Sequence, residues 1–150
     1  MRILVDADAC PVKNEIIELG QMFNIFVVMV TSIDHYPSTK EGDNKGIKYY
    51  YVDPGNDAVD YKIVALASPG DILVTQDYGL AVLMMDKIRV FHHSGEEYTE
   101  HNINRLLEQR HHSQIMRKAG KHTKGPSKFT KDHRQIFYKR FTLILKEIKQ

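Results

Sequence analysis

The chain has 150 residues, 42% of them hydrophobic and 27% charged, which suits one globular domain with a real core and leaves little room for two. No apolar run approaches the length of a membrane span, no charged-then-apolar leader is evident, and Cys10 as the only cysteine excludes an internal disulfide; a cytoplasmic protein without a membrane partner is the expectation. The formal net charge of +2 conceals a division, because residues 1–100 carry 16 acids against 8 Lys and Arg, and residues 101–150 carry 3 acids against 13.

Ile3, Leu4 and Val5 form a short apolar run that ends in Asp6-Ala-Asp8. A run of this kind reads as a strand buried on both faces. Pro11 suits the first turn of a following helix, which the pattern extends over about 11–23, with Gly20 as an early stop signal. Residues 25–30 read as a second strand, so the first three elements make a parallel βαβ unit. The polar, turn-rich stretch 31–46 reads as a surface loop, long enough to be a lid or simply mobile. A third strand follows at 47–52, rich in tyrosine (Tyr49, Tyr50, Tyr51); burial in a strand explains these rings more simply than base stacking does.

Asp57 and Asp60 open a helix over about 57–67, an acidic start that suits the helix dipole. A fourth strand at 71–75 ends in Gln76-Asp77, and a short helix and a fifth strand at 88–91 continue the alternation. Beyond His92 the character changes. Thr99 caps a helix reaching to about Met116, residues 118–128 form a basic loop with Gly and Pro, and Thr130 caps a last helix. Phe137, Phe141, Ile144, Leu145 and Ile148 mark the apolar side of that helix. The expected fold is a three-layer α/β/α domain with a mostly parallel five-stranded sheet, an acidic core over about 1–98 and a basic, helical C-terminal extension over about 99–150.

Asp6, Asp8, Asp60 and Asp77 fall at strand ends or a helix start on one edge of that sheet, where open α/β sheets bind ligands. Carboxylates converging there repel one another unless a cation neutralises them. One or two Mg²⁺ or Mn²⁺ ions suit such a set, since hard cations take carboxylate and phosphate oxygens and promote phosphodiester cleavage. Asp57 is a weaker ligand candidate. Taken singly, Asp60 and Asp77 could be no more than helix-start residues. The histidine pairs His92-His93 and His111-His112 do not have zinc-site spacing and suggest surface or nucleic-acid-facing roles. Cys10 lacks the base and orienting residue of a nucleophile. Lys13, Arg105, Arg110, Arg117, Lys118, Lys121, Lys124 and Lys128 could follow a phosphate backbone, giving salt-sensitive affinity with little sequence preference.

Three segments carry a family resemblance: Val5-Asp-Ala-Asp-Ala-Cys-Pro-Val-Lys13, Asn56-Asp-Ala-Val-Asp-Tyr-Lys-Ile63 and Gly70-Asp-Ile-Leu-Val-Thr-Gln-Asp-Tyr-Gly-Leu-Ala81. With Gly95-Glu-Glu-Tyr-Thr99 and Gly125-Pro126, they resemble the bacterial YaiI/YqxD family, which is similar to the PIN-like fold of metal-dependent ribonucleases. The resemblance implies that Asp6, Asp60 and Asp77 occupy the acidic positions of that fold, with Asp8 an additional acid. Three functions follow as expectations. The first is a Mg²⁺/Mn²⁺-dependent nuclease on RNA, its acidic edge cutting and its basic part holding the strand. The second is a haloacid-dehalogenase-like phosphatase with Asp6 as nucleophile and Asp8 as acid/base, although Cys10 stands where that motif usually has Thr or Val. The third is an RNA-binding protein without turnover. A homo-oligomer is compatible with the sequence.

Overall fold

Ile3, Leu4 and Val5 send their side chains alternately to two faces, and all three are fully buried, so both faces of this strand are covered by other layers. The computed structural model describes residues 1–33, 46–55, 57–120 and 128–150. Its strands are β1 (Arg2–Asp6), β2 (Phe26–Ser32), β3 (Ile47–Val52), β4 (Ile72–Val74) and β5 (Arg89–Phe91), and its helices are α1 (Lys13–Phe23), α2 (Ala58–Leu66), α3 (Tyr78–Met84), α4 (Glu100–Lys118) and α5 (Lys131–Lys149). The expected 31–46 loop lies mostly outside the described residues.

All five strands pair in parallel, in the order β3-β2-β1-β4-β5. The register places Leu4 between Val28 and Leu73, and Val5 between Met29 and Val74. One face carries Ile3, Val5, Val27, Met29, Ile72 and Val74 against α1 and α5; the other carries Leu4, Val28, Val30, Leu73 and Val90 against α2, α3 and α4. This is the three-layer α/β arrangement. The order reverses direction between β1 and β4, because the chain winds one way from β1 through β2 and the other way through β4 and β5. A crevice therefore opens at their carboxyl ends.

Helix α1 begins at Lys13, two residues later than the sequence suggests. Pro11 lies in the preceding turn, where its carbonyl accepts a hydrogen bond from Arg134, and Val12 at the cap is fully buried. Gly20 does not end α1. A Cβ there would lie 2.5 Å from Val27 Cγ2, so glycine is what lets the helix approach β2 so closely. Helix α5 is more than an extension of the core. Phe137, Phe141 and Leu145 are fully buried in the sheet-facing cluster, each contributing roughly 1.5–3 kcal/mol of apolar burial. Its entry is fixed by Thr130, whose hydroxyl accepts from His133 N–H while its own N–H donates to His133 Nδ1. Residues 92–98 turn back along β5, with Tyr98 N–H donating to Val90 O at 2.8 Å. Gly95 at the turn (φ +84) adopts a backbone that favours glycine, and a Cβ there would meet Arg140 Cβ at 2.7 Å. Among the described residues no helix is long and apolar enough to cross a membrane.

Candidate active site

The carboxyl ends of β1 and β4 bring Asp6 and Asp77 to the same crevice. Asp6 ends β1, and its Oδ2 accepts the Thr75 hydroxyl at 2.7 Å. Thr75, fully buried just past β4, also accepts the Asp77 N–H at 3.0 Å. Asp77 caps α3, its Oδ1 accepting Leu80 N–H at 3.1 Å. Tyr98 donates its hydroxyl to Thr75 O at 3.0 Å, which steadies the chain from behind.

Asp60 joins them from the first turn of α2, the helix that feeds β4. Burial pushes its carboxyl up to about 6, helped by the negative charges of Asp77, Asp6 and Asp57. Asp6 is raised as well, mainly by burial and then by Asp77 and Asp8, with the Thr75 hydrogen bond opposing the rise. Asp6, Asp60 and Asp77 thus crowd one another electrostatically. Among the described residues no three His, Cys, Asp or Glu side chains are grouped so as to hold a metal ion.

Asp8 turns the other way. Its Oδ1 accepts the Thr31 hydroxyl at 2.6 Å and the Ser32 N–H at 2.7 Å, so it is held at the end of β2 rather than beside β4. Asp57 stands at the cap position of α2 but makes no side-chain cap hydrogen bond, and its backbone is left-handed (φ 67). Acidic side chains tolerate that region better than most. Cys10 is buried and its thiol is pushed up to about 12, chiefly by burial, which leaves it a poor nucleophile.

The basic candidates divide between two layers. Lys13 opens α1 and Lys128 precedes α5, both exposed on the first layer, whereas Arg105, Arg110, Arg117 and Lys118 are exposed along α4 on the second. Lys121 and Lys124 lie outside the described residues. Two features escape a reading of the sequence alone. His93 is buried rather than surface-facing (3% exposed), because the chain reverses just after β5. A cavity of about 690 Å³, lined in part by Gln76, His93, Phe129, His133 and Arg140, opens between the sheet edge and the start of α5. Only the periodic apolar side of α5 hints that its first turns reach this edge.

A doubly wound α/β domain with acids gathered at its switch point is the class of protein that this fold and site define. The chain belongs to the YaiI/YqxD family: the family model described as "Uncharacterized BCR, YaiI/YqxD family" matches residues 4–147. A UPF0178 protein of Staphylococcus haemolyticus is 45% identical over 148 residues, covering 98% of this chain and 99% of its own length. One from Bacillus anthracis is 49% identical over 138 residues, covering 91% and 93%. One from Staphylococcus epidermidis is 47% identical over 148 residues, covering 97% of each chain. No solved structure matches.

Proposed function

We propose that this protein is a Mg²⁺- or Mn²⁺-dependent nuclease that hydrolyses phosphodiester bonds in RNA, a PIN-like enzyme working in the cytoplasm. The observation that carries the reading is the meeting of Asp6, Asp60 and Asp77 at the β1/β4 switch point, where burial first and the neighbouring negative charges second raise Asp60 to about 6. Three negative groups that feel one another's charge at a ligand-binding crevice favour a cation over three separate structural roles. The donor set is all oxygen, as hard cations require. Mg²⁺ keeps several waters and binds through one or two carboxylates, with substrate phosphates completing its shell, so it needs no closed cage of protein ligands. Asp6, Asp60 and Asp77 would hold the ion, and the chemistry it supplies is activation of water and neutralisation of charge on the scissile phosphate. Thr75 orients Asp6, and the Asp77 cap bond fixes the second carboxylate. Asp8, tied to β2, positions the β1 end and is not a primary ligand.

The phosphatase alternative requires Asp6 and Asp8 to face one substrate as nucleophile and acid/base. Their carboxylates are instead bonded toward opposite neighbours, β4 and β2, which weighs against it.

Incubation of the protein with labelled single-stranded RNA and Mn²⁺ tests the proposal. Cleavage is expected, and it should fall at least 100-fold in the Asp6→Asn/Asp77→Asn double variant, roughly the loss expected when charge stabilisation at the reacting centre is removed. Absence of cleavage, or cleavage that survives the double substitution, rejects it. Salt-sensitive RNA binding without turnover, unchanged by the substitutions, would mark a binding protein instead.

A further inference from the structure

We infer that the cavity beneath α5 is a nucleobase subsite, which seats one base of a single strand beside the acidic crevice. The inference rests on the nuclease reading for its place in a reaction, but its binding chemistry is independent of turnover.

The cavity adjoins the acids along the chain. Gln76 on its wall is the residue before Asp77, and Ala9 is the residue after Asp8. A base lodged here would therefore place its own backbone at the mouth of the crevice. The volume, about 690 Å³, falls in the range of small-molecule sites and has room for a nucleotide.

The lining matches a base in both its face and its edge. Pro11, Phe129 and Ile136 give an apolar wall, and Ile136 is 42% exposed there despite being aliphatic. Phe129 is held in place rather than loose, because the Arg134 guanidinium lies 5.4 Å from its ring centre and the His133 ring 5.3 Å away. A fixed ring beside an aliphatic surface is what a base needs for stacking. Gln76 and the imidazoles of His92, His93 and His133 also line the cavity, groups that both donate and accept, as the edge of a base does.

His93 adds an unmet demand. Its ring borders the cavity, and its Nε2 is buried without a hydrogen-bond partner, an arrangement that costs free energy and that a small side-chain rotation toward a bound base would relieve. The His92 ring stacks on it at 5.5 Å and is itself fixed by Ser94, whose N–H lies 3.1 Å from His92 Nδ1. Arg140 at the cavity rim donates from Nη1 to Ser94 O at 3.0 Å, lies 3.8 Å from Glu96 Oε1 and remains half exposed, so a phosphate oxygen there would compete with the Glu96 carboxylate.

The test uses the full chain in EDTA, with adenosine 5′-monophosphate as probe and the histidine ring resonances as readout. Saturable shifts of His93 and His133 are expected with the nucleotide and not with ribose 5-phosphate. Phe129→Ala, a half-buried site that should leave the fold intact, is expected to weaken binding about tenfold, and His93→Gln to weaken it as well. A short single-stranded RNA should displace the nucleotide. Equal shifts with ribose 5-phosphate, no effect of Phe129→Ala, or failure of RNA to compete each overturns the subsite. Binding that behaves as expected in a protein that never cleaves RNA removes the nuclease reading and leaves the subsite standing; cleavage without these shifts removes the subsite alone.

Discussion

Thr75 donates its hydroxyl proton to Asp6 Oδ2 across 2.7 Å, and this bond ties β4 to β1 at the point where the acids meet. The Thr75 hydroxyl oxygen also accepts the Asp77 N–H, so one buried hydroxyl sets the position of two carboxylates.

Thr75→Val keeps the shape and removes the hydroxyl. It leaves Asp6 without its donor and the Asp77 N–H without its acceptor, at a cost of about 1–3 kcal/mol. Because the lost bond holds the Asp6 carboxyl down, that group should titrate at a still higher pH in the variant. Thr75→Ser should restore both properties. Urea denaturation and carboxyl titration by NMR check this, and unchanged stability with an unchanged Asp6 titration would show that the bond does not place the acid.

Asp60 gives a pH prediction with a definite sign. Its carboxyl lies at about 6 in the folded chain against an ordinary 3.8. The folded state thus favours the protonated form, and the stability linked to it is fully present below about 4 and lost as pH rises through about 6. At pH 7.5 without divalent ions, Asp60→Asn should therefore be more stable than wild type, by on the order of 1 kcal/mol after solvent screening, or a few degrees in Tm. The gain should vanish at pH 4. Mn²⁺ should raise the wild-type Tm at pH 7.5 and have much less effect at pH 5. Thermal melts at these pH values, with and without Mn²⁺, decide it; a variant no more stable than wild type at pH 7.5 would mean that neither burial nor the neighbouring acids disfavour the Asp60 charge.

Much of this arrangement can be read from residues alone, for a physical reason. An apolar run that stops at an acid marks a buried strand and its end together, so the pattern by itself puts Asp6 and Asp77 on one sheet edge. The neighbour relation of β1 and β4 is one of the strand orders that a doubly wound sheet allows, and the pairing of Ile3, Leu4 and Val5 with Ile72, Leu73 and Val74 selects it. The direction of the Asp8 carboxylate does not, because it depends on the register that brings Thr31 and Ser32 alongside. His93 reads as a surface residue in the sequence because its burial comes from the reversal after β5, a tertiary event without a sequence period. In α5, Phe137, Phe141 and Leu145 announce an amphipathic helix, yet their spacing cannot say which sheet face they cover.

Arg2 and Asp71 provide a contrast at the opposite end of the sheet. Asp71 is almost fully buried and accepts hydrogen bonds from Arg2 N, Nε and Nη2 and from Ser68 N. Burial disfavours its charge, but the Arg2 and Ser68 bonds outweigh this and hold it below the ordinary carboxylate range. Its contribution to stability is therefore present above about pH 4 and lost as pH falls further. Asp71→Asn should cost about 1–3 kcal/mol at pH 7 and leave RNA cleavage per folded molecule unchanged. A fall in cleavage beyond the loss of folded protein would connect this end of the sheet to the site.

The last prediction concerns α5, whose role decides whether the basic C-terminal part is an appendage or half of a layer. Phe141 is fully buried, stacks on Phe137 at 5.0 Å and meets Phe91 edge-on at 5.7 Å, which links the helix to β5. Leu143, two residues on, is 66% exposed. Phe141→Ala should cost about 3–5 kcal/mol through lost burial and the cavity left behind, whereas Leu143→Ala should change stability by no more than about 0.5 kcal/mol. Since typical domains have only about 5–15 kcal/mol in hand, the first substitution should lower the urea midpoint sharply and loosen the wall carrying Phe129 and His133. Equal midpoints for the two variants would mean that α5 is an independent extension, and the cavity beneath it would then have no fixed roof.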